Sequence, residues 1–331
     1  MLSKIRQWAR RVDSNSRKTL ERLEALERSL KAHNPSTKNM PDKPGERSNS
    51  KPLNLDGVED DTAQWVRKLV STRLPWLAAE TPWFTASSVL WLEANLLRSD
   101  RVLEYGGGRS SIWWAKHVEG VTTVEASADW AAAILAHAMS RPDLLKRLRI
   151  YMAPADWNPS FNSGLKPYWK QNDVLSEEDA LLMERDLLTP TFDGHNVWAF
   201  DGAVRPLVMM KRMHDDTSNV DIIVVDNTES QFTSALADEL IPADHFTRLD
   251  FCARPGDPIP DHQEGKHITS IFVRPDRLRS AKIAETPYPT ALTRELRLQH
   301  QESSDLSDDG LKGAMEKLRQ RLMQIQSLGK S

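Results

Sequence analysis

Four acidic residues of this chain stand where runs of apolar residues end, and they are the first candidates for chemistry. Glu104 and Glu125 close two such runs, and Asp201 and Asp226 close two others, the last followed by Asn227. A single acid in such a place more often caps a helix or a turn. Because the carboxyl ends of parallel strands meet at one edge of a sheet, the four acids together indicate a ligand site there.

The strongest single pattern is a glycine-rich turn between an apolar strand and a helix. Gly106, Gly107 and Gly108 follow the strand that carries Glu104. Glycine lets the backbone approach a ligand closely and adopt φ values that other residues resist. Glu125 comes nineteen residues after Gly106, a position suited to accepting hydrogen bonds from ribose hydroxyls. The pattern therefore predicts a nucleoside pocket at the carboxyl edge of a parallel sheet.

The type of nucleoside is narrowed by the residues of the turn. The dinucleotide fingerprint G-x-G-x-x-G is broken, because Ser111 occupies its last glycine position. The pattern Glu104-x-Gly106-x-Gly108 instead resembles the first motif of class I S-adenosylmethionine-dependent methyltransferases, with Ser110 where many members have a third glycine. The resemblance implies a methyltransferase with a Rossmann-like α/β fold, in which helices flank a seven-stranded, mostly parallel sheet with an antiparallel edge strand.

The resemblance also implies which residues bind S-adenosylmethionine. Asp156 would meet the adenine amino group, and Trp157 would stack on the adenine, although a tryptophan is more often a core residue. The full cofactor-binding set implied in this way is Glu104, Tyr105, Gly106, Gly107, Gly108, Ser110, Glu125, Ala126, Asp156 and Trp157.

A metal site is implied by a second resemblance. Asp201, Asp226 and Asn227 are similar to the metal triad of catechol O-methyltransferase and its relatives. Three oxygen ligands suit Mg²⁺, which would lower the pKa of a bound hydroxyl. The lysine base of those enzymes is missing, since Val204 occupies its position, and neighbouring Arg205 is too basic to accept a proton.

Without a metal, an alcohol or phenol acceptor needs a general base. Asp201 is the first catalytic candidate and His267 the second, because histidine titrates near neutral pH. His195, His245 and His262 are lesser candidates.

The reaction predicted is O-methylation of a small molecule or a sugar. Val102-Leu-Glu-Tyr-Gly-Gly-Gly108, Phe200-Asp-Gly202, Val225-Asp-Asn227 and Thr269-Ser-Ile-Phe272 also resemble a bacterial group that modifies glycans and natural products. The expected partner is a small-molecule or glycan acceptor and not nucleic acid, and the formal net charge of −3 agrees with that exclusion. The alternatives are an inactive methyltransferase-like scaffold that acts through its terminal helices, and an NAD-dependent oxidoreductase, which would need glycine at Ser111.

Seven apolar runs, alternating with helical stretches, must position these residues. Strands alternating with helices and ending in a close strand pair predict a parallel sheet with an antiparallel edge. Helices are predicted at 62–72 and 87–97, ahead of the first strand. The predicted strands are Val102–Tyr105, Val121–Glu125, Leu148–Met152, Val197–Asp201, Ile222–Asp226, His245–Phe251 and Ile268–Val273.

The domain organisation follows from composition. Residues 1–34 predict a basic helix and 35–58 a Pro- and Ser-rich linker, followed by a methyltransferase domain over 59–280, a polar linker over 281–310 and a helix over 311–328. The 4-3 apolar spacing of both terminal helices favours a coiled coil, and possible homo-oligomerisation through them. The last helix could equally pack on the domain, and the first could rest on anionic lipid.

Bulk properties favour a cytoplasmic protein. Of the 331 residues, 39% are hydrophobic and 27% charged, and no run approaches the ~20 apolar residues that cross a bilayer. The first residues lack the features of a signal peptide. Cys252 is the only cysteine, so neither an intrachain disulfide nor a cysteine metal site is expected.

Overall fold

Seven strands form a single sheet in this computed structural model. The structure describes residues 73–74, 76–125, 127–139, 141–152, 181, 184–185, 188, 191–202, 205–215, 217–254, 267–282, 287 and 308–328. The strands are β1 (Arg101–Tyr105), β2 (Gly120–Glu125), β3 (Leu148–Met152), β4 (Val197–Phe200), β5 (Ile222–Val225), β6 (Thr247–Cys252) and β7 (Ile268–Val273).

The strand order is β3-β2-β1-β4-β5-β7-β6. The first five strands are parallel, and β1 in the centre pairs with both β2 and β4. Strand β7 is antiparallel to β5 and to β6, so an antiparallel pair closes this end of the sheet. The predicted seven-stranded, mostly parallel Rossmann-like sheet is confirmed.

All seven predicted strands are present, and β3 and β7 have the predicted bounds. Strands β4 and β5 each end one residue early, so Asp201 and Asp226 lie in the turns that follow. Strand β6 begins at Thr247 and not at His245, because a turn precedes it, in which the amide groups of His245 and Phe246 both donate to the carbonyl of Pro242. Asp201 and Asp226 thus follow their strands at the same edge of the sheet at which Glu104 and Glu125 end β1 and β2.

Helices cover both faces of the sheet, which is why its strands are apolar on both sides. On β1, Val102 packs in one core cluster and Leu103 in the other. Helices α1 to α4 border the first cluster, whereas α5, α6 and α8 border the second. The helices are α1 (Ala86–Asn95), α2 (Arg109–His117), α3 (Ala128–Met139), α4 (Pro142–Leu145), α5 (Arg205–Met213), α6 (Gln231–Leu240), α7 (Pro275–Arg279) and α8 (Asp308–Leu328).

The C-terminal helix α8 packs on the domain. Its apolar residues Met315, Leu322 and Ile325 are buried in the second core cluster, and Arg321 forms an ion pair with Glu184 at 2.6 Å. Of the packing modes considered for this helix, the structure therefore shows the intrachain one. The predicted helix over 1–34 and the linker over 35–58 lie outside the described residues, and the domain boundaries stay predictions.

Within the described part of the chain, no helix is both long and apolar enough to cross a membrane.

Candidate active site

The glycine turn after β1 touches the turn after β4. Gly106 has a φ of +89°, and a Cβ at this position would lie 2.5 Å from the carbonyl oxygen of Asp201. Gly202, with a φ of +84°, faces it, and a Cβ there would lie 3.0 Å from Gly106 Cα. Residues other than glycine rarely adopt either of these backbone conformations. Only glycine therefore allows the two turns to meet at the centre of the carboxyl edge.

Glu125 is tied directly to the glycine turn. Its Oε2 accepts a hydrogen bond from the Gly107 amide at 2.5 Å, and its Oε1 accepts one from the Ser127 amide at 2.6 Å. Burial, assisted by the nearby carboxylates of Glu104 and Asp201, raises the pKa of Glu125 to about 7 against the opposing effect of the two amides. Each carboxylate oxygen keeps a further lone pair, so Glu125 can still accept hydrogen bonds from a ligand.

Glu104 lies directly beneath the turn and is fully buried. Its Oε2 accepts hydrogen bonds from Ser111 Oγ at 2.5 Å and Thr123 Oγ1 at 2.7 Å, whereas Oε1 has no partner among the described residues. Burial raises the pKa of Glu104 to about 7, although the hydroxyl groups of Ser110, Ser111 and Thr123 oppose the shift. An unpartnered buried carboxylate oxygen is costly, and a cationic ligand nearby would relieve that cost.

Ser111, which breaks the dinucleotide fingerprint, has a defined role. Its hydroxyl donates to Glu104 and accepts a hydrogen bond from the Gly108 amide at 3.1 Å. The Gly107 and Gly108 amides are thus both bonded within the protein, one to Glu125 and the other to Ser111. A pyrophosphate-binding turn would present such amides to its ligand.

The remaining predicted cofactor residues lie in different places. Ser110 is buried on α2. The Tyr105 side chain belongs to the second core cluster, where it stacks on Phe200 at 5.9 Å and its hydroxyl accepts a hydrogen bond from Arg212. Only the backbone of Tyr105 therefore borders the glycine turn. Ala126, Asp156 and Trp157 lie outside the described residues.

The predicted metal triad is held by cationic side chains. Arg205 Nη2 donates to Asp201 Oδ1 at 3.0 Å and to Asn227 Oδ1 at 2.8 Å. Asp226 Oδ1 accepts a hydrogen bond from Thr269 Oγ1 at 2.8 Å and lies 3.1 Å from His267 Nε2. The described residues contain no group of three or more His, Cys, Asp and Glu that could hold a metal ion. This arrangement does not fit Mg²⁺, because Arg205 already occupies Asp201 Oδ1 and Asn227 Oδ1, and His267 lies against Asp226.

His267, the second predicted base, is almost completely buried against Asp226. Burial alone would lower the pKa of His267, but the charge of Asp226, with help from Glu229, outweighs it and raises the pKa to about 10. An imidazole with that pKa carries its proton at neutral pH. His267 is thus paired with Asp226, while the Asn227 amide nitrogen lies 3.2 Å from its Nδ1, and its assignment as a base stays a prediction.

Asp201, the first predicted base, is partly exposed, with 27% of its side chain accessible to solvent. Its Oδ1 accepts hydrogen bonds from Arg205 and from the Gly202 amide, and no described residue donates to Oδ2. Burial and the charge of Asp226 raise the pKa of Asp201, and Arg205 opposes the shift. Asp201 thus combines a free oxygen with increased basicity.

Sequence reasoning missed the bridging role of Arg205 and considered this residue only as an unsuitable base. The signal was its spacing, since Asp201 and Arg205 are four residues apart and Arg205 begins α5. Of the lesser histidines, His245 is exposed and His195 lies at the opposite edge of the sheet, while His262 is outside the described residues.

Several solved structures are similar to this chain, all at low sequence identity and low TM-score. A methyltransferase-like protein from Silicibacter pomeroyi is 15% identical, with 63% of this chain and 90% of that one covered at a TM-score of 0.35. A dimethyladenosine transferase from Plasmodium falciparum is 9% identical; the match covers 60% of this chain and 66% of that one, with a TM-score of 0.34. An rRNA methylase from Streptococcus thermophilus is 11% identical; the match covers 56% of this chain and 93% of that one, with a TM-score of 0.33. No protein-family model matches the sequence, and no curated protein does.

One prediction is corrected by these matches. The expected partner was a small-molecule or glycan acceptor, with nucleic acid excluded. The matched structures include an rRNA methylase and a dimethyladenosine transferase, whose names refer to RNA and to adenosine. The prediction that excluded nucleic acid is therefore withdrawn, and the net charge of the whole chain was a poor reason for it.

Proposed function

We propose that this chain is an S-adenosylmethionine-dependent methyltransferase. The observation that carries the proposal is a set of three carboxyl groups, those of Glu104, Glu125 and Asp201, packed around the glycine turn. Burial raises the pKa of each carboxyl group, and a neighbouring carboxylate raises it further: Asp201 for Glu104, Glu104 and Asp201 for Glu125, and Asp226 for Asp201. S-adenosylmethionine brings a sulfonium and an ammonium group, and these cations would stabilise the ionised carboxylates.

The same site is unfavourable for NAD. A pyrophosphate would place negative charge beside carboxyl groups, and like charges in a desolvated site repel strongly. The Gly107 and Gly108 amides, which would bind such an anion, are bonded to Glu125 and Ser111. The acidic surroundings and the occupied amides both support a cationic nucleoside over a dinucleotide.

Asp201 is the proposed general base for transfer to an oxygen acceptor. As the acceptor oxygen attacks the sulfonium methyl carbon, the carbon–sulfur bond breaks, and its electron pair stays on the neutral sulfur of S-adenosylhomocysteine. The proton of the acceptor hydroxyl passes to Asp201 Oδ2. Arg205 acts as a positioning residue, because it holds Oδ1 of the same carboxylate at 3.0 Å. No step of this scheme requires a metal ion.

Glu125 is proposed to bind the ribose hydroxyls, and this role gives the first experiment. Calorimetry would compare S-adenosylmethionine, S-adenosylhomocysteine and NAD on the wild type and on Glu125→Gln. A charged acceptor contributes about 1.5–3 kcal/mol, so Glu125→Gln is expected to weaken S-adenosylmethionine binding at least roughly tenfold. Asp244→Asn, which removes an exposed acid, is the matched control and should bind as the wild type does.

The result also separates the alternatives. Weaker binding of S-adenosylhomocysteine, which lacks the sulfonium charge, than of S-adenosylmethionine would support the role of the acidic cluster. Preferential binding of NAD would overturn the proposal in favour of an oxidoreductase. If none of the three ligands binds, the inactive scaffold becomes the better account.

The acceptor can then be sought with radiolabelled S-adenosylmethionine in a cell extract. Label that enters a fraction sensitive to ribonuclease would identify RNA as the acceptor. Asp201→Asn is expected to retain S-adenosylhomocysteine binding and to lose transfer of the label. Loss of binding and transfer together would contradict the assignment of Asp201 as the base.

A further inference from the structure

A second cavity opens at the amino edge of the sheet, opposite the glycine turn. It encloses about 200 Å³ where β1, β2 and β3 begin. Its charged and polar lining includes Arg101, Lys146, Arg147, Arg149, His195 and Glu119. None of these residues takes part in the candidate active site.

The cavity concentrates positive charge in a chain whose formal net charge is −3. Four of its lining residues are cationic, and Glu119 is its one acid. Arg147 donates to the carbonyl of Ala115 at 3.1 Å, which holds its guanidinium in place. Within the described part of the chain, Arg149 has no hydrogen-bonded or ion-paired partner for its side chain. Such a concentration of cations favours an anionic ligand.

His195 forms a buried wall of this cavity. Its Nε2 lies 2.9 Å from Thr122 Oγ1, and its Nδ1 lies 3.3 Å from the carbonyl of Phe192. Burial lowers the pKa of His195, and the charges of Arg101 and Arg149 lower it further, against the opposing effects of the Phe192 carbonyl and Asp193. The imidazole is thus neutral at physiological pH, and the two arginines are close enough to affect it electrostatically.

We propose that the amino-edge cavity is a binding site for a phosphate-type anion, with a diphosphate group as the occupant. Guanidinium groups present paired donors that match the oxygens of a phosphate. The space of about 200 Å³ is smaller than the ~300–1,000 Å³ of pockets that enclose a whole drug-sized ligand. It suits a diphosphate, and the rest of a larger phosphorylated ligand would extend into solvent. The proposal does not depend on the proposed methyltransferase activity.

Calorimetry with inorganic pyrophosphate at constant ionic strength tests this site. Arg149→Gln removes an exposed guanidinium, so the fold should be kept, and Arg98→Gln removes another exposed guanidinium outside the cavity. We expect saturable binding at one site, at least roughly tenfold weaker in Arg149→Gln and unchanged in Arg98→Gln. Absence of saturable binding, or an equal loss in both variants, would overturn the proposal.

Two further measurements locate the ligand. In an NMR titration, pyrophosphate should raise the pKa of His195, because the bound anion offsets the charges of Arg101 and Arg149. An unchanged His195 pKa in the presence of saturating pyrophosphate would place the anion elsewhere. S-adenosylhomocysteine should bind equally well with and without pyrophosphate, since the sites lie at opposite edges; mutual displacement would assign the anion to the glycine turn.

The source of the diphosphate is resolved by comparing pyrophosphate with a nucleoside diphosphate. Equal affinities would identify the phosphate groups alone as the recognised chemistry. Tighter binding of the nucleoside diphosphate would support a phosphorylated ligand whose remaining part contacts the rim of the cavity.

Discussion

Gly106 and Gly202 meet backbone to backbone, and this contact joins the turns after the two central strands β1 and β4. Both have positive φ values, of +89° and +84°, and a Cβ on Gly202 would lie 3.0 Å from Gly106 Cα. The relative position of Glu104 and Asp201 depends on this contact, because each belongs to one of the two turns or the strand leading to it. The geometry of the candidate site is therefore sensitive to a single methyl group.

Replacement of Gly202 tests that sensitivity. Gly202→Ala is expected to lower the free energy of unfolding by about 1–2 kcal/mol, because alanine resists a positive φ and crowds Gly106. Gly313→Ala is the matched control, since Gly313 lies within α8 with open space around it. That variant should raise stability by up to about 1 kcal/mol, as alanine favours a helix. Urea unfolding would measure both, and equal effects would contradict the account of the turn.

The raised pKa of Glu104 predicts a pH dependence of stability. Its pKa is about 7 in the folded state against 4.5 as the ordinary value, so the folded protein binds an extra proton between these limits. The contribution is complete below about pH 4.5 and is lost as the pH rises through 7. A shift of this size corresponds to about 3 kcal/mol, as an order of magnitude.

Urea unfolding of the wild type and Glu104→Gln at pH 5, 6, 7 and 8 would measure this effect. The wild type should lose stability relative to the variant as the pH rises, since glutamine stays neutral. Parallel curves for the two proteins would show that Glu104 is not held near neutrality in the folded state. Saturating S-adenosylmethionine should reduce the difference, because its positive charge favours the ionised carboxylate.

Because of the position of Arg205, we expect the protein to be insensitive to Mg²⁺. Addition of Mg²⁺ or of a chelator should leave the Tm and the affinity for S-adenosylhomocysteine unchanged, because the guanidinium bridges Asp201 and Asn227. A rise of the wild-type Tm with Mg²⁺ would contradict this expectation.

Removal of Arg205 should also destabilise the fold. Arg205→Met is expected to lower the free energy of unfolding by about 2 kcal/mol. This loss is smaller than the loss from breaking a fully buried ion pair, because part of the Asp201 side chain is exposed. Arg279→Met removes an exposed pair with Asp276 and should change the unfolding free energy by less than about 0.5 kcal/mol. Thermal and urea unfolding of both variants would provide the comparison, and equal losses would show that the bridge adds no stability.

Two adjacent residues of helix α8 should contribute very differently to stability. Leu322 is 5% exposed within the second core cluster, whereas Met323 is 58% exposed. Leu322→Ala should lower the free energy of unfolding by about 2–4 kcal/mol, and Met323→Ala should have little effect. Light scattering of Met323→Ala would show whether the outer side of α8 supports self-association. A change in its oligomeric state would reveal a second use of the helix.

Much of the fold could be read from local patterns. The strands were recognisable as apolar runs, four of which (β1, β2, β4 and β5) end at or directly before a glycine or an acid, and β3 and β7 were predicted to the residue. The glycine turn was recognisable because Gly106 must adopt a conformation that few other residues tolerate. The ends of β4 and β5 were misplaced by one residue, since polarity alone does not separate the last strand residue from the turn.

The chemical state of the site could not be read in this way. The sequence by itself determined which acids stand at the carboxyl edge, because strand ends and turns follow from neighbouring residues. Only the tertiary structure decided that Arg205 bridges Asp201 to Asn227, and that Asp226 lies against His267 and raises its pKa. Likewise, the amino-edge cavity joins Arg101 of β1, Arg149 of β3 and His195 of the loop before β4. Charge and protonation depend on burial and on distances through space, and these exist only once the chain has folded.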